Sequence, residues 1–185
     1  MIYIKDNFLP NLLFKELLNY CDEFKEVKTP GKSFWIKELP EEFINYIKNS
    51  LEEIEGKKIK NILCFAREAK EDQDNDWRIH NDTIIEGQQP DRAIVLHVKA
   101  NESELCGTAF WDHETYGSTY IKSNEKEFNR MLVEDSNNKD KWKLNSVIGY
   151  KPNRLLSYPC DYFHSKYPNE YKKQRIVLVM FYKYI

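Results

Sequence analysis

The segment WRIHNDT, residues 77–83, decides how this chain is read. It contains a His-x-Asp triplet: His80, Asn81 and Asp82. On an extended backbone residues i and i+2 point to the same side, so His80 and Asp82 can grip one ion while Asn81 points away. A third ligand must then arrive on a strand lying alongside. His164 is the candidate, and Arg175 follows it at the head of an apolar run. Two histidines and one carboxylate on one face of a metal leave the opposite face open, a donor set suited to non-haem Fe(II) chemistry.

Working outward, the chain reads as α+β and mainly β, with helices first. Residues 2–4 form a short strand. Leu13, Leu17, Tyr20 and Phe24 fall at helical spacing over 10–24, with Pro10 in the first turn. Residues 29–32 read as a turn. Phe43, Ile47, Leu51 and Ile54 mark a second helix over 40–55, which Gly56 ends. Short strands follow at 58–66, 77–82, 93–99, 108–111, 147–150, 155–158 and 175–184. Many short strands with turn punctuation indicate a sandwich or barrel. The polar, lysine-rich stretch 121–145 reads as an insertion, with Phe128, Met131 and Leu132 on a short helix, and such insertions often cover a site. We expect one domain over 1–185: a helical support at 1–57 and a β-barrel core at 58–185.

Composition excludes several classes. Aromatic residues reach 14%, which offsets a modest hydrophobic fraction of 41% and favours a folded, strand-rich chain. Net charge is −2 with Lys and Arg scattered, so neither a nucleic-acid nor a membrane-surface partner is expected. No stretch approaches the about 18 apolar residues of a membrane span. Cys21, Cys64, Cys106 and Cys160 form no CxxC pair, and the start carries no signal-peptide pattern. A cytoplasmic protein with reduced, buried thiols is the expectation. The acidic loop at 71–76 lacks the glycine and distal glutamate of a calcium-binding EF-hand loop, so it reads as solvated. Nothing in the sequence fixes an oligomeric state.

Four segments, taken in order, resemble one family. "IYIKDNFLPNLLFKELLNYC" is similar to the strand-plus-helix opening of the prolyl-4-hydroxylase-like branch of the Fe(II)- and 2-oxoglutarate-dependent oxygenases. "WRIHNDT" resembles its iron motif. "AIVLHVKANESELCGTAFW" is similar to the strand, turn and Gly-Thr strand that follow. "NRLLSYPCDYFHSKYPNEYKKQRIVLVMFYK" resembles the strand with the distal histidine and then the strand with the co-substrate arginine. The resemblance spans nearly the whole chain.

It implies a double-stranded β-helix, a jelly-roll or cupin-like barrel with helices packed on one sheet. It implies Fe(II) on His80, Asp82 and His164, with 2-oxoglutarate and O2 as co-substrates. The implied reaction hydroxylates a C–H bond while 2-oxoglutarate becomes succinate and CO2. Arg175 would hold the distal carboxylate of 2-oxoglutarate, and an arginine at the end of an inward apolar face (Val177, Val179, Phe181) does need an anionic partner. The family often carries a Ser or Thr where this chain has Val177, and a tyrosine before the iron motif where it has Cys64, Phe65 and Arg67. Thr83, Tyr150 and Arg67 are the candidates to fill those roles. His113 and Trp111 are expected as supporting or substrate contacts, although Trp111 suits a core equally well. His97, with Ala93 and Val95 on its side, reads as a satisfied core histidine. A carboxylate at Asp82 argues against a halogenase, and Phe181 stands where the nucleic-acid dealkylases have a second arginine. The substrate is expected to be a peptidyl proline or other amino-acid residue, or a small molecule. Two alternatives stay open: a metal enzyme on the same triad that uses no 2-oxoglutarate (a hydrolase or cupin dioxygenase), and a non-catalytic jelly-roll binding module.

Overall fold

A computed structural model describes the chain except residues 30–31, 72, 74–75, 101–104, 121–124 and 172. The elements run β1 (Tyr3–Lys5), α1 (Asn11–Tyr20), β2 (Lys25–Thr29), β3 (Lys32–Glu38), α2 (Glu41–Glu55), β4 (Ile59–Ala69), β5 (Arg92–Lys99), β6 (Gly107–His113), α3 (Glu125–Glu134), β7 (Trp142–Gly149), β8 (Arg154–Pro159), β9 (His164–Tyr167) and β10 (Arg175–Tyr184). Parts of the expected turn at 29–32, the acidic loop and the insertion's start, together with the Phe128 side chain, lie outside the described residues.

Two antiparallel sheets face each other as a jelly roll. The large sheet is ordered β1-β8-β5-β10-β4-β3-β2 and the small one β7-β6-β9. Alternation along β10 explains why. Ile176, Leu178 and Met180 point one way and pack with Leu17, Phe43, Ile47 and Leu51 of the two helices. Val177 and Phe181 point the other way and pack with Val95, Phe110 and Tyr158 between the sheets. Each fully buried Leu or Ile on the helical face contributes about 1.5–3 kcal/mol. This burial holds α1, whose 10 residues are too few to be stable alone.

The first helix stops at Tyr20 rather than at Phe24, and the Cys21 amide closes it on the Leu17 carbonyl. Gly56 ends α2 in the left-handed conformation, as the sequence suggested. Residues 1–57 are not helical support alone. They add β1 at one edge of the large sheet and the β2–β3 hairpin at the other. The hairpin escapes a hydrophobic reading because KEVKT is an exposed, charged edge strand. Residues 77–82 do not form a full strand either. Arg78 takes φ +45°, which interrupts the extended run and leaves a single bridge at His80.

The two ends of the chain's support meet at Asn153. Its side chain accepts from the Leu9 amide (2.8 Å) and donates to the Leu9 carbonyl (2.7 Å), and its own carbonyl accepts from Phe8. The backbone there sits at φ +59°, which Asn tolerates better than most residues. Asn153→Ala removes two buried hydrogen bonds and leaves both Leu9 groups unpaired. It should cost about 2–4 kcal/mol, read as a lower urea midpoint with an unchanged m-value.

Candidate metal centre and adjoining cavity

The segment carrying the His-x-Asp triplet lies against β9. The His80 amide donates to the His164 carbonyl (3.1 Å) and the His164 amide to the His80 carbonyl (2.8 Å). The Asp82 amide donates to Cys160 (2.8 Å). The three side chains converge as a result. His80 Nε2 lies 3.5 Å and His164 Nε2 3.2 Å from the Asp82 carboxylate, and the candidate ligand atoms all lie within 4.8 Å of one another.

Both imidazoles are oriented from behind. His80 Nδ1 meets the Arg78 carbonyl at 2.7 Å and His164 Nδ1 meets the Tyr162 carbonyl at 3.0 Å. A carbonyl can only accept, so each Nδ1 carries the proton and each Nε2 presents its lone pair toward the shared point. Burial lowers His80, aided by the charge of His164. Burial also opposes protonation of His164, but the Asp82 carboxylate outweighs it and raises that group. Burial would raise Asp82, yet the two imidazoles hold it well below the usual carboxylate range. One anion between two neutral nitrogen donors fits a divalent cation.

A cavity opens beside the triad, and Arg175, Val177, Val179 and Phe181 line it from β10. Arg175 is buried, and among the described residues no carboxylate pairs with it. Its guanidinium reaches only the Gly107 carbonyl (3.4 Å) and faces the Tyr171 ring at 5.6 Å. Glycine is required at 107 by the neighbouring strand β7, since a Cβ there would sit 2.1 Å from the Ile148 oxygen. Thr108 also lines the cavity, and its buried hydroxyl has no hydrogen-bond partner among the described residues. A buried cation beside an unsatisfied hydroxyl suits a carboxylate.

No family model matches the chain, and no curated protein matches it. Solved structures do. A collagen prolyl hydroxylase from Paramecium bursaria Chlorella virus-1, in complex with 2-oxoglutarate, has 13% identity and a TM-score of 0.59, covering 100% of this chain and 96% of its own. HygX from Streptomyces hygroscopicus, bound to nickel, 2-oxoglutarate and hygromycin B, has 8% identity and a TM-score of 0.62 over 98% and 82%. A prolyl hydroxylase from Trichoplax adhaerens, bound to a hypoxia-inducible-factor peptide, has 13% identity and a TM-score of 0.55 over 98% and 83%. This chain has the prolyl-hydroxylase fold.

Within that fold, the expected residues separate into two groups. His80, Asp82, His164, Arg175 and Arg67 line one cavity. Thr83, Tyr150, His113 and Trp111 do not. Thr83 donates to Asn81 (3.3 Å) in a different surface depression. Tyr150 stacks on His97 at 5.5 Å. His113 is buried 3.3 Å from Asp135, between Trp142 and Tyr116. Trp111 is core, with its indole N–H on Ser165. His97 is buried as expected but not satisfied, since neither ring nitrogen has a hydrogen-bond partner among the described residues. Thr108, Tyr158, Arg78 and Lys166 line the cavity unexpectedly. Arg78 and Lys166 each lie two residues from a candidate ligand histidine, so the alternation that singled out Asp82 would have found them.

The insertion does not cover the cavity with any described residue. It braces the His80 segment from outside the barrel. Ser136 O accepts from the Ile79 amide (2.9 Å) and Asn137 Oδ1 from the Arg78 amide (2.8 Å), while Met131 packs with Ile79 and Trp111. The Lys139 ammonium sits 4.1 Å from the Trp77 ring centroid. Asn137→Ala should weaken metal binding about ten-fold in a metal titration while the far-UV spectrum stays unchanged.

His97 sets a pH dependence. Burial, then the charges of Arg175 and Arg154, push its imidazole down to about 3 from an ordinary 6.5. The unfolded chain therefore takes up a proton that the folded chain refuses. The stability due to neutral His97 is complete above pH 6.5 and is lost as pH falls toward 3, with a slope of up to about 1.4 kcal/mol per pH unit. His97→Leu should flatten the urea midpoint between those pH values relative to the wild type.

Proposed function

We propose that this protein is an Fe(II)- and 2-oxoglutarate-dependent dioxygenase that hydroxylates a C–H bond. The observation that carries this reading is the sharing of one cavity by the His80–Asp82–His164 triad and the buried Arg175. A hydrolytic metal site requires the triad but has no use for a buried arginine beside it. A bound Fe(II) would supply the redox chemistry that divides O2 between 2-oxoglutarate, oxidised to succinate and CO2, and the substrate C–H bond, which becomes C–OH.

The chain's own residues bind, orient and exclude water. His80 and His164 donate Nε2 to the metal and Asp82 neutralises part of its charge. Arg175 and Thr108 receive the distal carboxylate of the co-substrate, Thr108 supplying the hydroxyl that Val177 lacks. Val95, Val177, Val179 and Phe181 keep that end dry, which strengthens the ion pair. Residues 1–185 serve this site as one domain. The four cysteines are free, and burial pushes Cys21 up to about 11 and Cys64 up to about 12. Such inert thiols suit a reducing cytoplasm. The relatives bound to a peptide and to hygromycin B support an amino-acid residue or a small molecule as substrate.

Anaerobic addition of Fe(II) and then 2-oxoglutarate should produce a visible metal-to-ligand charge-transfer band that needs both and is absent in His164→Ala. Bound metal without a band would favour the oxo-acid-independent enzyme, and no metal binding would favour the binding module. Arg175→Ala should raise the half-saturating 2-oxoglutarate concentration by about 10²-fold, and Thr108→Val by about ten-fold. An unchanged requirement in both would move the carboxylate elsewhere.

A further inference from the structure

His97 is fully buried, and neither of its ring nitrogens has a hydrogen-bond partner among the described residues. An imidazole left unanswered on both sides costs stability that an apolar side chain would not. Apolar side chains suit this layer, since Val95 and Leu156 pack on the same inward face. A histidine kept there against that cost has a use.

Strand register shows what surrounds it. His97 on β5 stands directly opposite Val177 on β10. Such opposite residues hold their Cβ atoms about 4.5–5.5 Å apart on one face of the sheet. Arg175 precedes Val177 by two positions and so shares that face. From the small sheet, Thr108 shares the face of Phe110, which packs with Val177. Three groups able to donate a hydrogen bond therefore gather around Val177: the Arg175 guanidinium, the Thr108 hydroxyl and the His97 imidazole. Arg175, Thr108 and Val177 line the cavity, and His97 lies just behind Val177.

The donors match one acceptor. A carboxylate offers about four lone-pair sites. Arg175 can fill two of them through a bidentate contact, and Thr108 a third. A neutral imidazole has one N–H to give to the fourth. The surroundings keep His97 in that form: burial first, then the charges of Arg175 and Arg154, push it down to about 3. A neutral donor also avoids setting a second charge against Arg175 before the anion arrives. The Tyr150 ring stacks on His97 at 5.5 Å with an interplanar angle of 30°, which fixes the plane of the imidazole. Arg154 does not compete for the anion, because its guanidinium is paired with Asp6 at 2.6 Å and donates to the Gly149 carbonyl.

We propose that His97 is a co-substrate-binding residue, which donates one ring N–H to the distal carboxylate held by Arg175 and Thr108. This deepens the oxygenase reading and rests on it for the identity of the anion. His97 then has a share in selecting a dicarboxylic 2-oxo acid over a monocarboxylic one, because a buried donor left without its acceptor penalises the wrong ligand.

The test compares 2-oxoglutarate with 2-oxopentanoate, which ends in a methyl group in place of the distal carboxylate. Each is titrated by calorimetry into protein loaded with Zn(II), a diamagnetic ion that also allows NMR of 15N-labelled histidine rings. In the wild type 2-oxoglutarate should bind at least about a hundred-fold more tightly. It should also shift the ring nitrogens of His97, assigned by their loss in His97→Leu, whereas 2-oxopentanoate should leave them in place. His97→Leu should weaken 2-oxoglutarate about ten-fold and leave 2-oxopentanoate unchanged, while His97→Gln, which keeps an N–H, should recover much of the loss. Equal weakening of both acids would mark His97 as a packing residue and overturn the proposal, as would full 2-oxoglutarate affinity in His97→Leu. Wild-type His97 nitrogens indifferent to 2-oxoglutarate would overturn it even if the variants failed to fold. A wild type that takes up Zn(II) but does not prefer 2-oxoglutarate would sink the oxygenase reading and this inference with it, whereas a normal preference with an indifferent His97 sinks this inference alone.

Discussion

Everything at the candidate site depends on two backbone hydrogen bonds, exchanged between His80 and His164. They are the only bridge between the His-x-Asp segment and β9. Because residues directly opposite in an antiparallel pair lie close together, this bridge places two distant imidazoles over one point. Asp82 then joins them by alternation. A slip of one residue would turn His80 and Asp82 away from the cavity and bring Asn81 in. Register, rather than the identity of the side chains alone, makes the three residues one site.

The fold surrounds that register with asymmetric chemistry. One face of β10 is greasy and holds the helices. The other is apolar in its middle, with Arg175 at one end and the metal ligands nearby. Buried charges are costly unless paired, so each buried polar group at the site implies a partner. Asp82 and the two Nε2 lone pairs that face it together imply a cation. Among the described residues Arg175 has no carboxylate and the Thr108 hydroxyl no hydrogen-bond partner, and a carboxylate would suit both. His97 lies on the neighbouring strand opposite Val177; neither ring nitrogen has a hydrogen-bond partner among the described residues, and burial keeps the ring uncharged at neutral pH.

Much of this was legible in the sequence, for definite reasons. Period-two alternation gave β10 its inward face from Arg175 to Phe181, and helical spacing gave α2 its stripe and its glycine stop. The same alternation paired His80 with Asp82, while His164 came in as the histidine of a separate strand. What stayed hidden lacked a local signature. The β2–β3 hairpin is charged on an exposed edge, so no hydrophobic pattern marks it. The left-handed turn at Arg78 cut short what composition presents as a strand. Thr83, Tyr150, His113 and Trp111 sit near the right motifs in sequence, but Thr83 turns to Asn81 within its own segment, and the other three meet partners more distant in the chain: His97, Asp135 and Ser165. Thr108 was unreadable as a site residue because its value lies in the hydrogen bond it fails to make.

The edges of the large sheet have a consequence beyond the site. An open sheet presents unpaired backbone groups at its outermost strands, which invite other chains to dock and propagate. Here one border strand is three residues long, and the other carries two lysines and a glutamate around a single valine. Neither offers the long, flat, apolar template that fibrillar assembly requires. The charged hairpin therefore also guards colloidal stability, so mutations that make its outer strand greasier would show first as insolubility at high concentration.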